Sequence, residues 1–205
     1  MFPKEGADKP EIHFAGFTDA WEQRKLGEIV ELFSGLTYSP SNVSYTGTLV
    51  LRSSNVKDGE IVDADNVYVD PKCVNSDNVQ AGDVIVVVRN GSRSLIGKHA
   101  LIKLNMPNTV IGAFMTGLRS KVPGFTNTIL STKQFDDEIK KNLGATINQI
   151  TNGMFERMSF FLPCTAEQEE IGALFTDLNH LITLHQCELK KLQNMKKALL
   201  DKMFV

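Results

Sequence analysis

The feature that most constrains the fold is an unbroken amphipathic segment from Thr165 to the C-terminus. It contains no proline and a single glycine, Gly172. Its apolar residues recur mostly at steps of three, four or seven, the spacing of one face of an α-helix. The pattern predicts a helix of about 40 residues, roughly 57 Å long at 1.5 Å per residue. Thr165 and Gln168 have the spacing of a capping box at its start.

A helix of this length cannot bury its apolar face on its own domain. The ~140 residues before it would fold to a diameter of about 30–40 Å. Most of the helix must therefore project and pack against another helix as a coiled-coil-type seam, in which His185 is a polar break that can fix the register. The predicted seam residues are Ile171, Leu174, Leu178, Ile182, His185, Leu189, Leu192 and Leu199.

The preceding segment, residues 18–163, predicts a compact β-rich domain. Short runs rich in Val and Ile are separated by Gly, Asn and Asp, which indicates strands and turns. Residues 84–88 form a continuous β-branched run and predict a central buried strand. Short helices are expected through WEQRKLGEIV, capped by Thr18 or Asp19, and through STKQFDDEIKKNL, capped by Ser131 or Thr132.

The predicted organisation has three parts. Residues 1–17 form a mobile leader, residues 18–163 form the domain, and residues 164–205 form the long helix. The fold class is α+β: a mixed or antiparallel β-rich domain with short helices, followed by one coiled-coil-type helix at the C-terminal end.

The charges are segregated along the chain, although the net charge is only −2. Residues 58–83 contain seven acids and one base, whereas residues 84–134 contain no acid. The bases of that second stretch are Arg89, Arg93, Lys98, Lys103, Arg119, Lys121 and Lys133. Such a segment suits the neutralisation of DNA phosphates. The alternative is that these bases pair with the acids before them, such as Asp58, Asp63, Asp65 and Asp70.

Motifs for catalysis are not apparent. GSRSLIGKH, residues 91–99, differs from a P-loop because its two glycines are one residue too far apart and His99 replaces the metal-binding hydroxyl residue. The three cysteines and four histidines are scattered, which argues against a metal site. We predict no enzymatic activity, no cofactor and no metal. A nucleotide-binding enzyme that uses residues 91–99 remains an alternative.

The chain shows no signal for membranes or secretion. It has no run of 18 or more apolar residues, and its first residues, MFPKEGADKPEIHF, lack the apolar stretch of a signal peptide. We expect a cytoplasmic protein without a membrane partner.

Four blocks resemble the type I restriction-modification specificity subunits. They are FAGFTDAWEQRKLGEIVELFSG, LVLRSSNVKDGEI, GDVIVVVRNGSRSLIGKHALI and the long stretch from GATINQITNGMFERMSFFLPCTAEQEE through the C-terminal helix. The last block is the most specific. The resemblance implies a target-recognition domain for double-stranded DNA and a helix that binds modification (methyltransferase) subunits, with restriction subunits joining them. A complete specificity subunit has two such domains and two antiparallel helices. One domain and one helix suggest a natural half subunit or a truncated chain, with a second copy completing it as a homodimer.

Base-contacting candidates are the polar residues of three loops beside the predicted strands. Arg pairs with guanine and Asn or Gln with adenine through two hydrogen bonds each. The candidates are Arg52, Ser54, Asn55 and Lys57 in the first loop; Arg89, Asn90, Ser92, Arg93, Ser94 and Lys98 in the second; and Thr146, Asn148 and Gln149 in the third. For any one of them, an ordinary polar turn is the alternative. A coiled-coil interaction module without direct DNA contact is the alternative for the whole chain.

Overall fold

The computed structural model describes residues 10, 12, 14–144 and 148–204. In this part of the chain the strands are β1 (Glu22–Lys25), β2 (Val30–Ser34), β3 (Val43–Ser44), β4 (Thr48–Leu51), β5 (Val56–Lys57), β6 (Glu60–Ile61), β7 (Val67–Val69), β8 (Val84–Val87), β9 (His99–Leu101), β10 (Thr109–Ile111), β11 (Met115–Ser120) and β12 (Ser159–Leu162). The helices are α1 (Pro123–Leu130), α2 (Lys133–Asn142), α3 (Asn152–Arg157) and α4 (Thr165–Met203). This mixture confirms the predicted α+β class. None of the described helices combines the length and apolar character needed to cross a membrane.

Strand β8 lies inside an antiparallel sheet ordered β2-β11-β8-β9. Val84 and Val86 belong to one buried cluster, and Ile85 and Val87 belong to another. Successive side chains of a strand point to opposite faces of the sheet, so a strand between two apolar layers needs an apolar residue at every position. The prediction of a central buried strand is confirmed.

A second sheet, ordered β10-β4-β7-β3, packs on one face of the first. Strands β10 and β4 run parallel, and the other pairs are antiparallel. Leu51 and Ile111 of this sheet share a buried cluster with Ile85 of the first sheet. Strands β5 and β6 form a separate hairpin. Its turn residues, Asp58 and Gly59, both have positive φ, as a tight two-residue hairpin turn requires.

The opposite face of the first sheet is covered by helices. Phe125 of α1, Phe135 of α2 and Phe155 of α3 are fully buried in this largest cluster. Trp21 is also buried there, and Phe14 packs against it partly buried. Phe14 belongs to the predicted leader, so the end of that segment contacts the core. Most of the leader before Phe14 lies outside the described residues.

The predicted helix after Trp21 is wrong. Residues 22–25 form β1, which pairs antiparallel with β12 from Glu22 opposite Leu162 to Lys25 opposite Ser159. A single 3-10 turn, Leu26–Glu28, follows. Helix propensity differs little among ordinary residues, and a distant pairing partner easily overrides it.

The C-terminal elements follow the sequence more closely. Thr132 caps α2 with its side chain, which accepts a hydrogen bond from the backbone N–H of Phe135. Helix α4 contains 39 residues and is buried only near its start. From Leu178, at 42% exposure, to Met203, at 73%, its large apolar side chains are exposed. The predicted projection of the helix is confirmed.

The predicted capping box of α4 is corrected by one residue. The N-cap is Cys164, which makes no side-chain capping bond. The Gln168 side chain instead points inward, where its Nε2 donates to the carbonyl oxygen of Pro163 at 2.9 Å. Gln168 pairs with this buried carbonyl and does not cap the helix, because a buried polar group without a hydrogen bond costs free energy.

Gly172 sets the direction in which α4 leaves the domain. A Cβ atom on Gly172 would lie 2.6 Å from the backbone nitrogen of Phe125. A Cβ atom on Gly124 would lie 2.9 Å from the carbonyl oxygen of Gly172. Helices α1 and α4 therefore meet backbone to backbone, and the single glycine of the long helix is required by this close approach.

Candidate nucleic-acid interface

The three loops predicted to contact bases lie side by side at one edge of the domain. Asn90 Nδ2 donates to Ser53 Oγ at 3.2 Å, and Lys98 Nζ donates to the carbonyl oxygen of Ser53, also at 3.2 Å. These bonds join the first loop to the second. Asn148 Nδ2 donates to the carbonyl oxygen of Gly91 at 3.1 Å and joins the third loop to the second. Segments far apart in sequence thus form one continuous surface, which we call the loop surface.

The third loop is also held by its backbone. Arg89 and Gln149 form an isolated antiparallel bridge, and the N–H of Ile150 donates to the carbonyl oxygen of Val88 at 2.8 Å. Gln149 is therefore fixed beside Arg89. Thr146, predicted as a member of this loop, lies outside the described residues.

The basic segment divides into paired and unpaired charges. Lys103 pairs with Glu60, Arg119 with Asp83, and Lys133 with Asp137. Over the described ranges, no acidic side chain forms an ion pair with Arg89, Arg93, Lys98 or Lys121. The acids named as alternative partners do not neutralise this segment, although Asp65 pairs with Arg52. Three unneutralised cations therefore remain at the loop surface.

Phe114 is a member of the loop surface that the sequence did not predict. Its ring lies under the Arg89 guanidinium, 4.9 Å from Cζ to the ring centroid. Its carbonyl oxygen accepts hydrogen bonds from the N–H groups of Val88 and Arg89. Phe114 as a whole residue is 53% exposed. An aromatic residue inside an apolar stretch is typical of a core. Only Gly112, two positions earlier, indicated the turn in which Phe114 lies with Ala113.

The second loop is ordered by its own polar groups. Asn90 Oδ1 accepts a hydrogen bond from the N–H of Ser92 at 2.9 Å, and the hydroxyls of Ser92 and Ser94 lie 2.9 Å apart. The Arg93 guanidinium donates to the carbonyl oxygen of Leu143 at 3.3 Å, at the C-terminal end of α2. These contacts present exposed Ser92, Arg93 and Ser94 on a preorganised loop.

Asn55 is buried, and its assignment to the base-contacting residues is corrected. It is 1% exposed. Its Oδ1 accepts from the N–H of Arg52 at 2.9 Å, and its Nδ2 donates to Ala64 O and Asn66 Oδ1, both at 2.8 Å. These bonds hold Asn55 inside the domain, where it shapes the first loop and is not exposed at the surface.

The other first-loop candidates separate into two places. Arg52 lies at the loop surface, but its guanidinium is 2.7 Å from an Asp65 carboxylate oxygen. The Ser54 hydroxyl is buried and has no hydrogen-bond partner among the described residues. Lys57 is exposed on the β5–β6 hairpin, whose tip borders a cleft against α4. The structure therefore brings Arg52 and Ser54 to the loop surface but not Lys57.

Residues 91–99 do not have the geometry of a P-loop. A short 3-10 turn, Arg93–Leu95, is followed by strand β9, whereas a P-loop leads into an α-helix whose N-terminus faces the phosphates. The ring of His99 packs edge-on against Phe135, with centroids 6.2 Å apart. Burial lowers the pKa of His99. His99 is a packing residue of the domain.

Potential metal and thiol chemistry is limited in the described region. No group of three or more His, Cys, Asp or Glu side chains there could hold a metal ion. Cys73 is partly buried, and Cys164 and Cys187 are exposed; all are free thiols.

The predicted seam of α4 is not exposed at its start. Ile171 is 1% exposed because it packs in the core of its own domain, so its assignment to the seam is corrected. Leu174 is partly buried, and the remaining predicted seam residues from Leu178 to Leu199 are exposed. The part of the helix that is open to a partner therefore starts near Leu178.

The chain belongs to the type I restriction-modification DNA specificity family. The family model described as "Type I restriction modification DNA specificity domain" matches residues 18–194. Among curated proteins, the specificity subunits of type I restriction enzymes StySPI from Salmonella potsdam and EcoKI from Escherichia coli (strain K12) are each 25% identical over 163 residues. Each alignment covers 75% of this chain and 35% of the relative.

Solved structures show the same fold. The HsdS subunit from Thermoanaerobacter tengcongensis matches 99% of this chain and 47% of its own length, with a TM-score of 0.63 and 20% identity. A type I restriction-modification system chain matches 98% of this chain and 46% of its own length, with a TM-score of 0.65 and 21% identity. This chain thus spans about a third of the length of these curated relatives and about half of the solved chains.

Proposed function

We propose that this chain reads one half of a DNA target for a type I restriction-modification complex and has no catalytic activity of its own. The observation that carries this proposal is the loop surface, which unites the three predicted loops and bears Arg89, Arg93 and Lys98 without acidic partners in the described structure. Cations of this kind neutralise phosphates, and side chains beside them can read base edges.

The candidates expected to read bases are those whose polar groups remain available to hydrogen-bond with DNA. Asn90 and Asn148 use their amides to join the loops, so they organise the surface. Arg89, Arg93 and Gln149 are the candidates for bidentate contacts, Arg to guanine and Gln to adenine, each contributing roughly 1–3 kcal/mol of discrimination. Arg93 gives one N–H group to the carbonyl oxygen of Leu143 and keeps the others of its guanidinium. Ser92 and Ser94 supply shorter hydrogen-bonding groups.

We further propose that two segments of the chain have different roles. Residues 18–163 form the recognition domain, and residues 164–205 form the helix that binds partners. The helix docks a modification subunit, which restriction subunits then join, and it pairs with the α4 helix of a second copy. The complex acts in the cytoplasm. The exposed apolar side chains from Leu178 to Met203 support a helical partner, because apolar patches of this extent rarely face water.

The test is DNA binding by the chain assembled with its modification subunit. Arg89→Ala, Arg93→Ala and Lys98→Ala are expected to weaken binding of the target sequence. Arg24→Ala is the control, because Arg24 lies on β1 and pairs with Glu28, away from the loop surface. If the three loop variants all bind as tightly as the unmodified chain, the loop assignment is wrong and the role as an interaction module is favoured.

A further inference from the structure

A cleft opens beside the loop surface, between the ends of β2, β4 and β10. Its volume is about 720 Å³, within the range of small-molecule sites. Leu36, Tyr38, Phe114 and Met115 supply apolar and aromatic walls, and Arg52 and Ser54 supply polar groups. The sequence alone assigned no role to this cleft.

Two buried polar atoms in the cleft wall lack partners. Arg52 Nε and Ser54 Oγ make no hydrogen bond within the described part of the chain. Each atom is closed off from solvent, so a ligand can pair with it only after a rotation of its side chain toward the cleft. An unpaired buried polar group costs free energy, which favours such a rotation when the ligand is polar. The Asp65 carboxylate, held by Arg52, adds an acceptor to the same wall.

The position of the cleft indicates where its ligand comes from. Phe114 belongs both to the cleft wall and to the loop surface, where Arg89 covers its ring. Ser53 also lines the cleft and accepts the bonds from Asn90 and Lys98. A duplex whose phosphates contact the cations of the loop surface would therefore present its bases at the mouth of the cleft.

We propose that the cleft accepts a single unstacked nucleobase of the bound DNA. Phe114 and Tyr38 provide faces for stacking, and Arg52, Ser54 and Asp65 pair with the base edge. A nucleobase combines a flat apolar face with a polar rim, which is the combination that this wall displays. The inference rests on the proposed function, since it requires DNA at the loop surface.

The test is a mismatch scan of the target duplex with the chain assembled with its modification subunit. Extruding a base costs free energy for unstacking and unpairing, and the cost is smallest for a mismatched base. The modification subunit, as a methyltransferase, extrudes its own target base. One position other than that base is therefore expected at which a mismatch strengthens binding about tenfold, equivalent to ~1.4 kcal/mol. Phe114→Ala should abolish this gain. Tyr45→Ala is the control and should keep the gain, because Tyr45 is fully exposed and does not line the cleft.

Thymines supply a second readout that does not depend on a variant. An extruded thymine, or a thymine opposite an extruded base, should become reactive to permanganate in the matched complex. If the matched duplex binds but no mismatch strengthens binding, or if the gain persists in Phe114→Ala, the nucleobase cleft is overturned while DNA recognition stands. If the matched duplex does not bind at all, the proposed function itself fails.

Discussion

Asp83 anchors the start of β8 through a buried ion pair. It is 1% exposed. Its two carboxylate oxygens accept from Arg119 at 2.9 and 3.0 Å, and one also accepts from the N–H of Gln80. The bond to Asp83 raises the pKa of the Arg119 guanidinium. Arg119, counted in the sequence as a DNA-binding cation, is thus a structural residue.

Replacing Asp83 should destabilise the domain without touching the loop surface. Asp83→Asn leaves Arg119 without its charged partner, and we expect a loss on the order of 2 kcal/mol, since Arg119 keeps partial access to water. Urea unfolding measures this directly. Asp177→Asn, at an exposed position of α4, is the control and should unfold as the unmodified chain does. Equal stability of both variants would contradict the role of the pair.

His99 should make the stability of the domain depend on pH. Burial holds the pKa of His99 below its ordinary value, so the folded state binds fewer protons than the unfolded state. Stability is then full above the unfolded pKa of about 6.5 and declines as the pH falls from there toward the folded pKa. His99→Gln should flatten this decline in urea unfolding between neutral and acidic pH.

The control for this prediction is a histidine on the exposed helix. His180 is exposed on α4, so His180→Gln should retain the full decline. The nearby carboxylate of Asp136 acts in the opposite direction and raises the pKa of His99, but less strongly than burial lowers it. An unchanged decline in His99→Gln would show that other groups carry the acid sensitivity.

Among elements, the contact between α1 and α4 decides how the long helix leaves the domain. Alanine is favoured over glycine inside a helix by about 1 kcal/mol, so Gly172→Ala would stabilise an isolated helix. Here the added Cβ would meet the Phe125 backbone nitrogen at 2.6 Å. We expect a net loss of stability in thermal unfolding, because backbone atoms cannot yield as a flexible side chain does.

Gly144 offers a matched control for this substitution. A Cβ atom there would meet nothing within 4 Å. Gly144→Ala should leave the midpoint of thermal unfolding nearly unchanged. If the Gly172→Ala chain is as stable as the unmodified protein, α1 and α4 can move apart without loss of folding free energy, and the prediction is wrong.

The elements differ in how far the sequence predicted them. The β-branched run of β8 and the periodicity of α4 are local signals, and both were predicted correctly. Strand β1 was missed because its partner, β12, lies far along the chain.

Asn55 looked like a base reader because it belongs to a polar loop, but its buried bonds to Ala64 and Asn66 depend on the fold around it. Phe114 was missed for the converse reason. Its apolar neighbours predict a core residue, and Gly112 is only a weak signal of the turn that exposes its ring.

For the whole molecule, the unpartnered face of α4 predicts self-association. Two copies packed antiparallel through the residues from Leu178 to Leu199 would bury the apolar side chains that now face water, with the symmetry of an isologous pair. Two identical recognition domains would then read a two-fold symmetric, interrupted target.

Sedimentation equilibrium of the full chain tests this association. A dimer is expected at micromolar concentrations, and Leu192→Asp should dissociate it by placing a charge in the seam. Asn194→Asp is the control, because residue 194 lies two positions along the helix, on nearly the opposite face. A monomer that Leu192→Asp leaves unchanged would assign the face to the modification subunit alone.

The central claim, that the loop surface binds DNA, is tested most directly by the salt dependence of binding. The full chain should bind duplex DNA weakly, with an affinity that falls steeply as salt increases. Replacing Arg89, Arg93 and Lys98 together by Ala should reduce the slope of log K against log salt by up to about 2.7, or roughly 0.9 for each phosphate that is no longer neutralised. Replacing Arg24, Lys25 and Lys121 together, which removes the same charge elsewhere on the domain, should leave the slope nearly unchanged. Equal slopes for the two triple variants would contradict the account.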